Sequence, residues 1–138
     1  MKKSLLFLAM ASLAILFVSC TKSDDVVSNT GQLVTSGNWR VTLFTDSGND
    51  ETTDFNGYSF TFSSGGVLIA VKNSVTTTGT WSVSSSNKFN INLGPKDNTN
   101  KPLGELTDDW RIISSNSTEI RLGDDNASSN EFVTFTKN

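Results

Sequence analysis

Residues 37–43, with the sequence Gly-Asn-Trp-Arg-Val-Thr-Leu, constrain the fold more than any other part of the chain. Trp39, Val41 and Leu43 alternate with polar residues, a period of two that is typical of a β-strand with one face on a core. A second Gly-x-Trp segment, which contains Trp81, lies about halfway along the chain. We therefore expect two strands that each place a tryptophan on the inner face of the same β-domain.

Short alternating segments separated by turn residues continue to the end of the chain. Tyr58–Phe62 and Phe89–Leu93 alternate apolar and polar side chains, and clusters of Gly, Asn, Asp and Ser divide the chain at intervals of about 8–12 residues. This pattern predicts an all-β domain of about eight short antiparallel strands, without a helix of useful length. Hairpin-length connections favour an up-and-down barrel, because closure removes exposed strand edges. The rival immunoglobulin-like sandwich lacks support, since no cysteine pair flanks a core tryptophan.

The start of the chain has the composition of a secretory signal peptide. Two lysines precede the apolar run at residues 5–18, which at about 14 residues is shorter than the roughly 20 that a transmembrane helix needs. Residues 17–20, Phe-Val-Ser-Cys, resemble the bacterial lipobox, in which the cysteine becomes the acylated first residue. We therefore predict a lipoprotein signal peptide over residues 1–19 and acylation of Cys20 with several chains such as palmitate, because one chain anchors only marginally.

A polar segment follows the cysteine. Lys22, Asp24 and Asp25 resemble the export signal of Bacteroidetes surface lipoproteins, in which a lysine is followed by acidic residues. Residues 20–35 show no sustained apolar period and are expected to form a flexible tether. The interpretation predicts an outer-membrane lipoprotein that faces the outside of the cell and touches the membrane only through its lipid anchor.

Composition excludes several classes of function. After cleavage, 9 basic residues stand against 14 acidic ones, a net charge of −5, and the absence of a basic cluster argues against nucleic acid as a partner. The chain has no histidine, and its single cysteine is Cys20. The commonest general base and the commonest metal ligand are therefore missing, thiol nucleophiles are excluded, and a serine nucleophile would have only a lysine or a carboxylate as its partner base. Asp46, Asp50, Glu51 and Asp54 crowd one loop without the spacing of an EF-hand. We interpret them as solvated acids and expect no enzyme activity, no cofactor and no metal.

The residues also resemble a known family. Gly37 and Trp39 match the Gly-x-Trp signature at the first strand of lipocalins, and Gly79, Trp81 and Trp110 continue the pattern. Residues 36–138 as a whole are similar to the small lipocalin-like lipoproteins of Bacteroidetes. The resemblance implies a calycin-type barrel, in which a late basic residue stacks on the first tryptophan. Arg121 and Lys137 are the candidates for that residue.

The expected function follows from this fold. An eight-stranded barrel is just wide enough to be filled by its own side chains or to hold one small ligand. We expect Phe55 and Tyr58 at the mouth of the barrel, and Phe44 on the outward face of the first strand as a contact surface. The first hypothesis is a binding domain for a small apolar ligand or a glycan. The alternative is a structural or protein-interaction module of the envelope, with a filled barrel and no ligand.

Overall fold

The computed structural model describes residues 23–85 and 87–138. Within them, helix α1 spans Ser23–Val34 and nine β-strands follow, with short 3-10 helices at Thr52–Phe55, Asn98–Asn100 and Leu103–Leu106. The strands are β1 Asn38–Asp46, β2 Asn49–Asp50, β3 Ser59–Phe62, β4 Val67–Lys72, β5 Val75–Ser84, β6 Lys88–Asn92, β7 Asp108–Ser115, β8 Glu119–Gly123 and β9 Phe132–Lys137.

The strands form a closed antiparallel barrel. The hydrogen-bonded order is β2-β1-β3-β4-β5-β6-β7-β8-β9, and β9 pairs back onto β1. Strand β2 has only two residues and forms a short hairpin with the end of β1, so the barrel wall consists of the other eight strands. The predicted all-β, up-and-down, eight-stranded barrel is confirmed.

A β-bulge changes the inward face of β1. Its pairing with β9 shifts between Val41 and Leu43, which leaves Thr42 without a partner residue across the ladder. An extra residue moves every following side chain to the opposite face of the sheet. Phe44, with only 1 % of its surface exposed, therefore points into the barrel, and Leu43 points out. The predicted faces of Leu43 and Phe44 were wrong for this reason.

A second bulge lies in β7. Its pairing with β8 shifts between Ile112 and Ser114, so Ile113 has no partner residue. Ile112 lies in the core with 3 % of its surface exposed, whereas Ile113 is 42 % exposed on the outer wall. The first bulge turns Leu43 outward, and Ile113 faces outward by alternation with the buried Ile112, so both lie on the same side of the barrel, where β7, β8, β9 and β1 are neighbours.

Aromatic rings fill the middle of the barrel. The ring of Phe62 on β3 lies 5.6 Å from those of Trp81 on β5 and Phe89 on β6, and 5.5 Å from Phe135 on β9, measured between centroids. These are contact distances for edge-to-face pairs. Since the strands concerned stand on different sides of the barrel, the described side chains meet across its interior.

Helix α1 covers the end of the barrel where β1 begins, which we call the entry end. Val34 is fully buried, and its carbonyl oxygen accepts a 2.7 Å hydrogen bond from Trp39 Nε1. The hydroxyl groups of Thr30 on α1 and Ser115 on β7 lie 2.6 Å apart. The expectation of no helix in this part of the chain was wrong, because these contacts are tertiary and leave little trace in the local pattern.

The opposite end, which we call the loop end, is closed by two of the 3-10 helices. Phe55 from one, and Leu103 and Leu106 from the other, are buried in the same apolar cluster as the strand residues. Trp110 Nε1 donates a 2.9 Å hydrogen bond to the carbonyl oxygen of Leu106. Both ends of the barrel are therefore covered by segments of the chain itself.

The N-terminal predictions fall largely beyond this part of the chain. Residues 1–19, Cys20 and Lys22 lie outside the described residues. The boundaries proposed for the signal peptide, the tether at 20–35 and the barrel domain at 36–138 stay predictions. Among the described residues, no helix has the length and apolar character that crossing a membrane requires.

Candidate functional site

The three tryptophans belong to the core, and each ties a connecting segment to the barrel. Trp39, Trp81 and Trp110 are all buried. Their indole N–H groups donate to backbone carbonyl oxygens of Val34, Ser63 and Leu106 respectively. A buried indole needs such a partner, and here the acceptors lie in α1, in the β3–β4 turn and in a 3-10 helix. Their arrangement is structural and leaves none of the three rings open to a ligand.

The two signature glycines are required for different reasons, Gly37 by its positive φ and Gly79 by the close approach of a neighbouring backbone. At Gly37, where φ is +146°, the Lys137 side chain stands 2.8 Å from the position that a Cβ would take. A Cβ on Gly79 would collide with the carbonyl oxygen of Asn92. Of the two late basic residues, Lys137 lies opposite Trp39 in the ladder, whereas Arg121 lies on the outer wall.

The structure separates the two residues expected at the barrel mouth. Phe55 is buried, and its ring lies 5.0 Å from that of Phe44. Tyr58 is half-buried and borders a shallow pocket of about 250 Å³ at the loop end. Its ring stacks on Phe60 at 5.9 Å, and Lys72 Nζ lies 4.7 Å from its centroid. Tyr58 alone therefore has a solvent-facing position, and part of its ring is already covered.

An apolar groove of about 190 Å³ lies on the outer wall. We call it the wall groove. Leu43, which the β1 bulge turns outward, and Ile113, which follows the buried Ile112, line it together with Phe132. It replaces the contact surface predicted at Phe44, and strict alternation along β1 could not have revealed the part formed by Leu43. The remaining lining residues are Arg121, Leu122 and Thr134.

Three carboxylates converge at the loop end, and we call them the acidic triad. One oxygen each from Asp46, Glu51 and Glu105 lies within 4.8 Å of the other two. Glu105 is 95 % buried: its Oε1 accepts a 2.6 Å hydrogen bond from Lys101 Nζ, and its Oε2 has no hydrogen-bond partner among the described residues. Burial raises the pKa of Glu51, and the negative charge of Glu105 raises it further.

A second acidic group lies nearby and, like the triad, is paired with a lysine. Asp108, Asp124 and Glu131 also bring oxygens within 4.8 Å of one another. Lys96 Nζ stands 3.3 Å from Asp108 and 3.6 Å from Glu131. Burial raises the pKa of Glu131, although the positive charge of Lys96 opposes the change. Asp46 and Glu51 are recognisable in the sequence as loop acids, but nothing in their spacing connects them with Glu105.

The geometry defines a class: a small calycin-type barrel, closed at both ends and filled by its own side chains. No protein-family model matches the chain, and no curated protein matches it in sequence. Solved structures share the fold. A DUF4847-family protein from Bacteroides vulgatus is 18 % identical with a TM-score of 0.55, over 78 % of this chain and 96 % of that one. A lipocalin-like protein from Bacteroides uniformis is 19 % identical with a TM-score of 0.52, over 75 % and 98 %.

These two structures share the fold of the chain, although fewer than one residue in five is identical. At such identities the neighbours share architecture rather than demonstrated chemistry. The chain therefore has a lipocalin-like fold, as its Gly-x-Trp segments predicted.

Proposed function

We propose that this protein is a lipid-anchored, surface-exposed envelope protein whose barrel binds other envelope molecules through its outer surface. In this proposal it carries no ligand inside. The observation that supports the proposal is the filled interior, in which Phe62 contacts rings from three other strands. Segments at both ends of the barrel add to it.

The energetics favour a filled barrel over a ligand carrier. Room for a ligand would require displacement of at least one interior ring, and removal of a buried Phe side chain costs about 3–5 kcal/mol. A ligand of millimolar intrinsic affinity supplies only about 4 kcal/mol in total. Such a ligand would therefore gain little or no net affinity if it had to displace Phe62, and a tighter ligand would lose a large part of its affinity. This comparison makes the protein-interaction alternative the better supported hypothesis.

The internal-ligand hypothesis makes a distinct prediction. For a small apolar ligand or a glycan it assigns the pocket beside Tyr58 at the loop end. The ring of Tyr58 already contacts Phe60 and Lys72. Our proposal instead predicts that protein extracted from its own envelope retains no small molecule in the barrel.

We propose no catalytic role. The chain has no histidine, and its two convergent acidic groups are each paired with a lysine. A general acid or base would need a carboxylate that faces a substrate cleft with a matched pKa. Glu105, the most buried of these acids, is held by Lys101 instead.

Anchoring at Cys20 gives the barrel a defined orientation in the proposal. Helix α1 reaches the barrel at the entry end, so the loop end lies on the side away from the lipid. We expect Cys20→Ser to move the protein from the membrane fraction to the soluble fraction, because the acyl chains supply the membrane affinity. Fractionation followed by immunoblotting measures this change.

The matched control separates anchoring from export. Replacement of Lys22, Asp24 and Asp25 by alanine should leave the protein in the membrane fraction but protect it from protease added to whole cells. Retention of the Cys20→Ser variant in membranes would refute acylation. Unchanged protease sensitivity of the triple variant would refute the export signal.

A further inference from the structure

We propose that the acidic triad of Asp46, Glu51 and Glu105 is a binding site for a divalent cation, with Ca²⁺ as the preferred ion. The site lies at the loop end of the barrel. It is independent of the anchoring and of the interaction role proposed above.

Three separate segments build the triad. Asp46 is the last residue of β1, Glu51 follows β2, and Glu105 lies in the 3-10 helix at Leu103–Leu106. The third carboxylate is thus far from the other two in sequence and reaches them through the fold. Like charges repel, so an arrangement of this kind needs a compensating positive charge.

The unpartnered oxygen of Glu105 points to a ligand. Oε2 is buried and has no hydrogen-bond partner among the described residues, whereas Oε1 binds Lys101 Nζ. A buried charged oxygen without a partner is costly, and buried polar groups are normally satisfied by protein, water or an ion. A cation at the triad would satisfy Oε2 and relieve the repulsion from Asp46 and Glu51.

The spacing and charge fit Ca²⁺. Ca²⁺ holds oxygens at about 2.3–2.6 Å, so oxygens on opposite sides of one ion stand roughly 4.6–5.2 Å apart. The triad oxygens lie within 4.8 Å of one another. An upper bound of 4.8 Å admits Mg²⁺ as well, so the preference for Ca²⁺ rests on coordination geometry: Mg²⁺ demands a near-ideal octahedron, whereas Ca²⁺ accepts the irregular arrangement of carboxylates that come from three separate segments. Three carboxylates and Lys101 leave a charge of −2 that a divalent ion would neutralise.

The second acidic group provides an internal comparison. There Lys96 stands between Asp108 and Glu131, and none of its three carboxylates has a buried oxygen without a partner in the described part of the chain. The same number of acids therefore does not by itself create a site. The difference is the orphaned oxygen of Glu105.

Calorimetric titration of the full acylated protein in detergent, after treatment with EDTA and dialysis, tests the proposal. We expect saturable binding of one Ca²⁺ per chain, with a dissociation constant of about 10⁻⁴–10⁻³ M, and weaker binding of Mg²⁺. Glu105→Gln and Glu51→Gln should each weaken Ca²⁺ binding about tenfold or more, because each removes a ligand charge. Asp124→Asn, in the second acidic group, is the matched control and should bind as the unaltered protein does.

Lys101→Met supplies a readout that a purely structural triad would not give. Loss of the competing ammonium group should strengthen Ca²⁺ binding several-fold, and Ca²⁺ should raise the melting temperature of this variant more than that of the unaltered protein. Absence of saturable Ca²⁺ binding by the unaltered protein would overturn the proposal, even if Glu105→Gln failed to fold. Unchanged affinity in folded Glu105→Gln and Lys101→Met variants would also overturn it.

Discussion

Phe44→Ala is expected to lower the free energy of unfolding by about 3–5 kcal/mol, whereas Leu43→Ala next to it should lower it by only about 1 kcal/mol. The bulge at Thr42 causes this contrast, because it turns Phe44 into the core and Leu43 onto the outer wall. The ring centroid of Phe44 lies 5.0 Å from that of Phe55 and 6.5 Å from that of Trp110. Its loss therefore leaves a cavity between the barrel wall and the 3-10 helix that carries Phe55.

Urea denaturation of the two variants, followed by tryptophan fluorescence, measures the difference. The pair is matched, since both changes shorten a large apolar side chain to alanine in the same strand. A larger loss for Leu43→Ala than for Phe44→Ala would mean that β1 continues without a bulge. The wall groove would then lose Leu43 as a lining residue.

Removal of α1 is expected to destabilise the barrel by about 2.5–6 kcal/mol. A chain that begins at Thr35 loses the buried side chain of Val34, worth about 1.5–3 kcal/mol. It also leaves Trp39 Nε1 without the carbonyl oxygen of Val34, and an unsatisfied buried donor costs about 1–3 kcal/mol. The entry end would then be open to water.

A chain that begins at Ser23 is the control, because it retains the whole helix. The free energies of unfolding of the two chains, measured by thermal and urea denaturation, should differ by the amount given above. Equal stability would show that α1 is dispensable for the barrel and that residues 20–35 serve as a tether along their whole length.

The sequence predicted the architecture because its evidence is local. Alternation of apolar and polar residues, as in β3 and β6, is a property of each strand alone, and short turns then leave few ways to connect the strands. The bulges at Thr42 and Ile113 depend on which residue stands opposite in the neighbouring strand. The apolar–polar pattern of one strand does not contain that information.

The same distinction explains the missed helix and the missed triad. Helix α1 is held through Val34 and Thr30, whose partners Trp39 and Ser115 belong to the barrel. Short isolated helices are marginal without such packing, so propensity alone gives little indication of them. Glu105 joins Asp46 and Glu51 only when the barrel closes, and its burial could not be inferred from its neighbours in sequence.

Native mass spectrometry of the protein purified from its own envelope, after exchange into a mild detergent, tests the central claim most directly. A filled barrel predicts the mass of the acylated chain, alone or with a protein partner, and no bound small molecule. An organic ligand present at one per chain, and released only when the chain unfolds, would contradict a filled interior. That result would establish this barrel as a carrier.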